Sequence, residues 1–377
     1  MEWLADRFEL ARGGGKHHVL SMEGLRGFAV ILVFLVHYVS LITPWLTASA
    51  GIGQTAAAIH SIGNAGVDLF FVLSGYLIYG SLIRRKTPFL PYFRQRLIRI
   101  YPAFSVVFVI YVALSFAMPA QSKLPPGAYQ TAVYLIENFL LLPGLFPIEA
   151  MITVAWSLSY EMFYYLVLPP IVLAFGLRKR QRRWRVMFFI AIACALLVYC
   201  AIAGGPIRLV MFIAGILLYE ALTDGRWSAP PTAVTAGILV AGLGLMLVHF
   251  PGTMGATAHS LILAVTFFIL CYSCFKDVQK AMTRWFCWTP MRWLGNMSYS
   301  YYLLHGLALK AGFTVLQKFV PATTSEASFF FAMLVPMFVL TLIPTTLLFL
   351  FVERPFSLAP KRSPANSAES KAVVPSR

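Results

Sequence analysis

Charge is scarce in this sequence. Only 12% of its 377 residues are charged, 14 acidic against 30 basic, whereas ordinary soluble domains carry about 25%. That shortage excludes an ordinary soluble globule. With 59% hydrophobic residues and a mean hydropathy of +0.76, the composition is that of a membrane protein. Cysteine is sparse as well, with five in the chain. Cys194, Cys200, Cys271, Cys274 and Cys287 fall mainly in apolar segments, where a thiol behaves as a small hydrophobe. Cys271 and Cys274 form a Cys-x-x-Cys, but no second pair or nearby histidine completes a site, so no metal is expected. The first 20 residues lack the apolar core and small-residue cleavage site of a signal peptide. With Glu2, Asp6, Arg7 and Glu9 they read as a polar amino-terminal segment that is retained.

Apolar runs of about 20 residues are what the sequence has in abundance. Ten spans are expected, at 27–47, 62–83, 100–118, 157–177, 186–203, 207–222, 232–249, 260–275, 296–315 and 328–351. The apolar stretch 131–146 is short, contains Glu137 and ends near Pro-Gly, and so reads as re-entrant or interfacial. The organisation is therefore an all-α, polytopic membrane bundle of about ten helices over 21–356, after a polar cytoplasmic segment at 1–20. A Pro-, Ser- and Lys-rich tail at 357–377 is expected to be disordered. With both termini cytoplasmic, only Lys123, Arg208, Lys310 and Lys318 of the 30 basic residues lie outside, as the positive-inside rule requires. The net charge of +16 then reflects membrane orientation and contact with anionic lipid rather than nucleic acid.

Ionisable side chains inside a bilayer are costly, so each is a functional candidate. Arg26 and His37 are eleven residues apart, nearly three turns, on one face of the first span. The rise between them is about 16 Å, which resembles the reach of an extended pantetheine arm. Taken singly, the arginine reads equally as a topogenic charge and the histidine as a packing residue. In the second span, Gly-Asn-Ala-Gly-Val-Asp-Leu-Phe-Phe-Val-Leu-Ser-Gly begins at Gly63, and its small residues suit close helix approach. Asp68 within it needs a partner or a watered cavity. Phe93 to Pro102 places Arg96 and Arg99 at i and i+3, one face of a helix, where guanidinium forks suit phosphate oxygens or lipid headgroups. Trp156-Ser-Leu-Ser-Tyr-Glu161 opens another span, its carboxylate beneath an aromatic rim suited to sugar faces or to an interfacial belt. Arg292 to His305 carries a buried histidine. Glu353 and Arg354 near the last span's end read as an interfacial ion pair with a structural role.

Together these segments resemble the acyltransferase-3 family of integral membrane acyltransferases over roughly residues 20–356. The family's arginine, ten-residue gap and histidine fall on Arg26 and His37; its Gly-Val-Asp-x-Phe-Phe-x-x-Ser-Gly on 66–75; its Phe-x-x-Arg-x-x-Arg-x-x-Pro on 93–102. Its Trp-Ser-Leu-x-x-Glu falls on 156–161, its Leu-Gly-x-x-Ser-Tyr-x-x-Tyr-Leu-x-His on 294–305 and its Glu-Arg-Pro on 353–355. The resemblance implies transfer of an acyl group, acetyl first, from cytoplasmic acetyl-CoA to a hydroxyl of a cell-envelope or exported saccharide or glycolipid, at the cytoplasmic (inner) membrane. A small macrolide-type metabolite is the alternative acceptor. A transporter or flippase is the reading from another class, and the inverted repeats it calls for are not evident in the two halves. Under the acyltransferase reading Arg26, Arg96 and Arg99 hold cofactor phosphates. His37 is base or acyl carrier, with Glu161 and Asp68 orienting it or binding the acceptor, and Trp156, Tyr160, Ser74 and His305 line the acceptor site. Some family members carry an extracytoplasmic hydrolase-like domain that completes transfer; the sequence ends soon after its last expected span, so the expectation is that the acceptor reaches the membrane cavity itself or that a separate partner completes the transfer.

Overall fold

Lipid offers the backbone no hydrogen-bond partner, so apolar runs of this length fold as helices. The computed structural model describes residues 2–10, 17–46, 50–277, 279–321 and 327–358, and these are all-helical in architecture. The tail expected from residue 357 falls, after Leu358, outside the described residues. In chain order the helices are α1 (Glu2–Phe8), α2 (His17–Ile42), α3 (Ala50–Gly63), α4 (Ala65–Arg84), α5 (Phe89–Ala117), α6 (Ala128–Phe139) and α7 (Trp156–Ala174). They continue as α8 (Arg182–Ala203), α9 (Leu209–Asp224), α10 (Thr232–Gly244), α11 (Gly252–Lys276), α12 (Ala281–Phe286), α13 (Thr289–Asn296), α14 (Ser298–Phe319) and α15 (Ala327–Leu348). A π-helical segment, Phe349–Leu358, follows.

Among the described residues, seven stretches are long and apolar enough to cross a membrane: Leu20–Trp45, Gly51–Arg84, Phe89–Ala117, Thr153–Ala174, Arg182–Ala203, Gly252–Lys276 and Ser328–Leu358. They overlap seven of the ten expected spans. The other three are helical but of a different kind. With 16 residues, α9 is about 24 Å long, short of a hydrocarbon core of about 30 Å. The helix begun by α10 ends at Leu247 and is also short. At 22 residues α14 has the length, but its serines, tyrosines, His305, Lys310 and Lys318 make it less apolar. The stretch 131–146 forms the end of α6 and a turn through Leu141 and Gly144, both at positive φ.

Small residues bring the central helices together. An added Cβ on Gly75 of α4 would lie 2.1 Å from the Phe212 carbonyl oxygen of α9, and one on Gly215 would lie 2.0 Å from that of Val72. This mutual contact packs α4 and α9 together along much of their length and aligns the helix that carries Asp68 and Ser74. Likewise Gly295 of α13 sits against the Glu23 carbonyl of α2, fixing the start of α14 beside Arg26. The basic segments meet pairwise at helix ends. Arg178 donates to the carbonyls of Leu82 (2.8 Å) and Arg85 (3.3 Å), Lys276 to that of Gly225 (3.2 Å), and Arg292 pairs with Glu23 (3.2 Å) and Glu9 (3.4 Å).

Candidate functional site

Three arginines from two helices face one cavity of about 300 Å³. Arg26 comes from α2; Arg96 and Arg99, one turn apart, come from α5. Ser74 of α4, Glu161 and Tyr165 of α7, and Ser298, Tyr299 and Tyr302 of α14 complete the polar wall. Each guanidinium is braced. Arg26 Nε donates to Ser298 Oγ at 3.1 Å. Arg96 Nη2 donates to Ser81 Oγ at 2.9 Å and lies over the rings of Tyr92 and Tyr165. Arg99 Nη1 pairs with Glu353 Oε1 at 2.7 Å and lies over Tyr299. Glu161 accepts from Tyr165 at 2.5 Å and Ser74 at 3.4 Å. Since Glu353 is matched to Arg99, the cavity keeps an excess of positive charge, and forked donors with a partly apolar wall suit a phosphate-bearing ligand.

Glu353 was not legible as part of this group. The sequence suggested an ion pair with its neighbour Arg354, but the structure separates them. The π-helical segment turns the fully buried Glu353 inward, where it also accepts from Ser300 N (3.0 Å) and Oγ (2.6 Å). Arg354 Nη2 instead donates to the Asp6 carbonyl at 2.6 Å. Adjacent residues on a helix point about 100° apart, so facing the same partner is the exception. The aromatic brackets Tyr165, Tyr299 and Tyr302 were missed as well, because tyrosine in an apolar helix has a packing explanation; only the Glu161 to Tyr165 spacing of four offered a signal.

His37 lies further along α2, about 16 Å from Arg26 by helical rise. It lines a second cavity of about 700 Å³ with Ser40, Tyr111, Gln121, Lys123 and Lys310. Its imidazole meets that of His305, with ring centroids 4.9 Å apart and planes at 65°. His305 is fully buried, and its Nδ1 lies 2.8 Å from the Tyr301 carbonyl oxygen. Between the cavities stands Tyr302. Its ring lines the arginine cavity, while its hydroxyl meets Ser157 Oγ at 2.7 Å and the carbonyl of Val154, a wall residue of the second cavity, at 3.1 Å.

Asp68 belongs to neither chamber. It lines a third cavity, of about 490 Å³, with Asn64, Arg208, His249 and His259. Its carboxylate lies 3.7 Å from Arg208 Nε, and the guanidinium rests over Trp156 at 5.4 Å. Trp156 meets the buried Tyr160 edge on at 5.6 Å. The sequence reading has Asp68 orienting His37 or binding the acceptor; it lies with Arg208 at the third cavity, whereas His305 is the neighbour of His37. Asp68 and Ser74 are six residues apart on α4, which points them to different sides of the helix. Of the ten candidates, Arg26, Ser74, Arg96, Arg99 and Glu161 share the first cavity, His37 lines the second and meets the buried His305, and Asp68, Trp156 and Tyr160 gather around Arg208. Among the described residues no cluster of three or more His, Cys, Asp or Glu is placed to hold a metal ion.

Comparison with known proteins adds an independent finding. A family model described as an acyltransferase domain matches residues 19–350. The chain is 28% identical over 320 residues to acyltransferase MdmB of Streptomyces mycarofaciens, covering 78% of this chain and 79% of that one. It is 25% identical over 272 residues to exopolysaccharide production protein ExoZ of Rhizobium meliloti, covering 68% and 80%. O-acetyltransferase OatA of Staphylococcus aureus is 31% identical over 177 residues, which are 43% of this chain and 26% of that protein. No solved structure matches the chain.

Proposed function

Because the chain belongs to the acyltransferase-3 family of membrane acyltransferases, we propose that it transfers an acetyl group from cytoplasmic acetyl-CoA to a hydroxyl of a cell-envelope or exported saccharide. The observation that carries this reading is the alignment along α2. Arg26 stands with Arg96 and Arg99 at one cavity, and His37 stands about three turns further on at another. The names O-acetyltransferase and exopolysaccharide production protein, borne by relatives, support acetyl as the group and saccharide as the acceptor.

In this reading the helices traverse the inner membrane about ten times, both termini are cytoplasmic, and the arginine cavity opens inward. The three guanidinium groups hold the phosphates of the donor by charge-assisted, forked hydrogen bonds. The pantetheine arm then runs beside α2, past Tyr302, to bring the thioester to His37. There the imidazole takes the proton of the acceptor hydroxyl as its oxygen bonds to the thioester carbonyl carbon. The carbon to sulfur bond breaks, and the thiolate leaves with the proton that His37 returns. The half-buried Trp156, backed by Tyr160 and beside Arg208, offers a ring for an extended glycan. The apolar residues Leu41, Leu114, Leu303 and Leu307 around His37 favour a second reading, a compact hydrophobic acceptor.

The test is thiol release from acetyl-CoA by the purified protein in vesicles, with and without envelope polysaccharide, together with the acetyl content of that polysaccharide in a deletion strain. Polysaccharide-dependent release and loss of acetyl in the deletion are expected. Solute flux without thiol release would establish a transporter instead.

A further inference from the structure

His305 offers a lone pair that nothing among the described residues uses. Its Nδ1 stands 2.8 Å from a carbonyl oxygen, that of Tyr301, which only accepts, so the Nδ1 must carry the proton. In the neutral ring the other nitrogen, Nε2, is then a bare acceptor. It is buried without a hydrogen-bond partner among the described residues, an arrangement that carries a desolvation cost and calls for an explanation. The ring has little freedom to turn away. It stacks on Tyr301 with planes at 10° and centroids 5.2 Å apart, and the Tyr301 hydroxyl is anchored to Thr341 Oγ1 at 2.8 Å. The neighbour able to supply a donor is His37, whose ring centroid is 4.9 Å away. At that separation an N–H of His37 reaches the fixed Nε2 across a donor to acceptor distance of about 3 Å once the His37 ring turns its edge toward it.

We infer that His305 is a positioning residue for His37: held by the Tyr301 carbonyl, its Nε2 accepts the N–H of His37 and so leaves the opposite nitrogen of His37 bare toward the acceptor hydroxyl. This rests on the reading of His37 as the base. Fixing the tautomer of a catalytic histidine through its second nitrogen is the same physical device that a carboxylate or carbonyl provides elsewhere. Here the third group is an imidazole; among the described residues no carboxylate lines the cavity around His37. When His37 takes the hydroxyl proton, the hydrogen bond to His305 becomes charge-assisted and gains strength where water is excluded. The proton then passes to the departing thiolate and both rings return to their starting state.

Two variants and one spectrum test the assignment. His305→Phe keeps a planar ring and removes the acceptor, whereas His305→Gln returns an acceptor oxygen near the position of Nε2. In native membrane vesicles supplied with acetyl-CoA, His305→Phe is expected to lower kcat on the order of 100-fold with the KM for acetyl-CoA unchanged. His305→Gln is expected to recover most of that loss. A His305→Phe protein with wild-type kcat overturns the inference, as does equal loss in both variants accompanied by a raised KM, which marks a purely structural role. The 15N spectrum of histidine-labelled protein, which needs no acceptor, should show one tautomer for His37 in the wild type and a mixture in His305→Phe; identical spectra also overturn it. His37→Gln separates the two readings. If it transfers acetyl normally, the base assignment itself fails; if it is inactive while His305→Phe is normal, only the role of His305 fails.

Discussion

At the scale of single residues, the arginine cavity depends in part on a partner that is not in its wall. Glu353 is fully buried and accepts from Arg99 and Ser300, so removing its charge leaves a guanidinium uncompensated in a low-dielectric site. Breaking such a pair costs about 3 kcal/mol or more. Glu353→Gln is therefore expected to lower the thermal midpoint and to raise the KM for acetyl-CoA roughly tenfold, the cost of about 1.4 kcal/mol in binding. Arg354→Ala, which removes only a contact to the Asp6 carbonyl, should leave KM unchanged; equal effects in steady-state kinetics would restore the neighbouring ion pair. His37→Ala separates binding from chemistry. Loss of a general base costs about 100- to 10,000-fold in turnover, so transfer should vanish while equilibrium binding of coenzyme A, measured calorimetrically, persists. The sequence raised Arg26, Arg96, Arg99 and His37 as candidates because a charge in a hydrophobic run is costly, although each also had a bland reading there. Glu353 was visible too, but its partner was not, since the π-helical register that turns it inward has no signature in an apolar run.

At the scale of helices, glycine decides how closely the carriers of these residues approach. Gly215 of α9 meets the Val72 carbonyl of α4, and Gly75 meets that of Phe212, so even a methyl group forces the two backbones apart. Gly215→Ala is expected to destabilise the protein by about 3 kcal/mol, the upper range for overpacking a dense core. Gly237 of α10 has open space around its Cβ position, and Gly237→Ala should be neutral or stabilising by up to about 1 kcal/mol. Thermal unfolding in detergent distinguishes them; similar midpoints would mean that α4 and α9 are not held at this separation. The small residues of α4 were legible as contact points in the sequence, but not their partner. Hydropathy likewise reported helices without saying which were full spans. The polar face of α14 carries Ser298, Tyr299 and Tyr302 into the arginine cavity, and a window average blurs that feature. Asp68 is the clearest case. Its need for a partner followed from burial alone, whereas the choice of Arg208 over His37 depended on the rotation of α4 against α9.

At the scale of the whole molecule, the arrangement that matters is two chambers meeting near Tyr302. Ser74 lines the one with the arginines, and Ser40 lines the one with His37. If the bundle delivers an acyl group across the membrane, these positions must answer to reagents from opposite sides. In a variant with all five native cysteines replaced, Ser74→Cys should react with a membrane-impermeant maleimide only in inside-out vesicles, and Ser40→Cys only in right-side-out vesicles. Coenzyme A added to inside-out vesicles should protect Ser74→Cys, because the phosphates held by Arg26, Arg96 and Arg99 would fill the space in front of it. The same addition should leave Ser40→Cys fully reactive, since the pantetheine arm and not the nucleotide extends toward that chamber. Labelling of both cysteines from a single face would mean one continuous cavity open to one side, with donor and acceptor sharing an entrance, and the vectorial route would fall even if the chemistry at His37 stood.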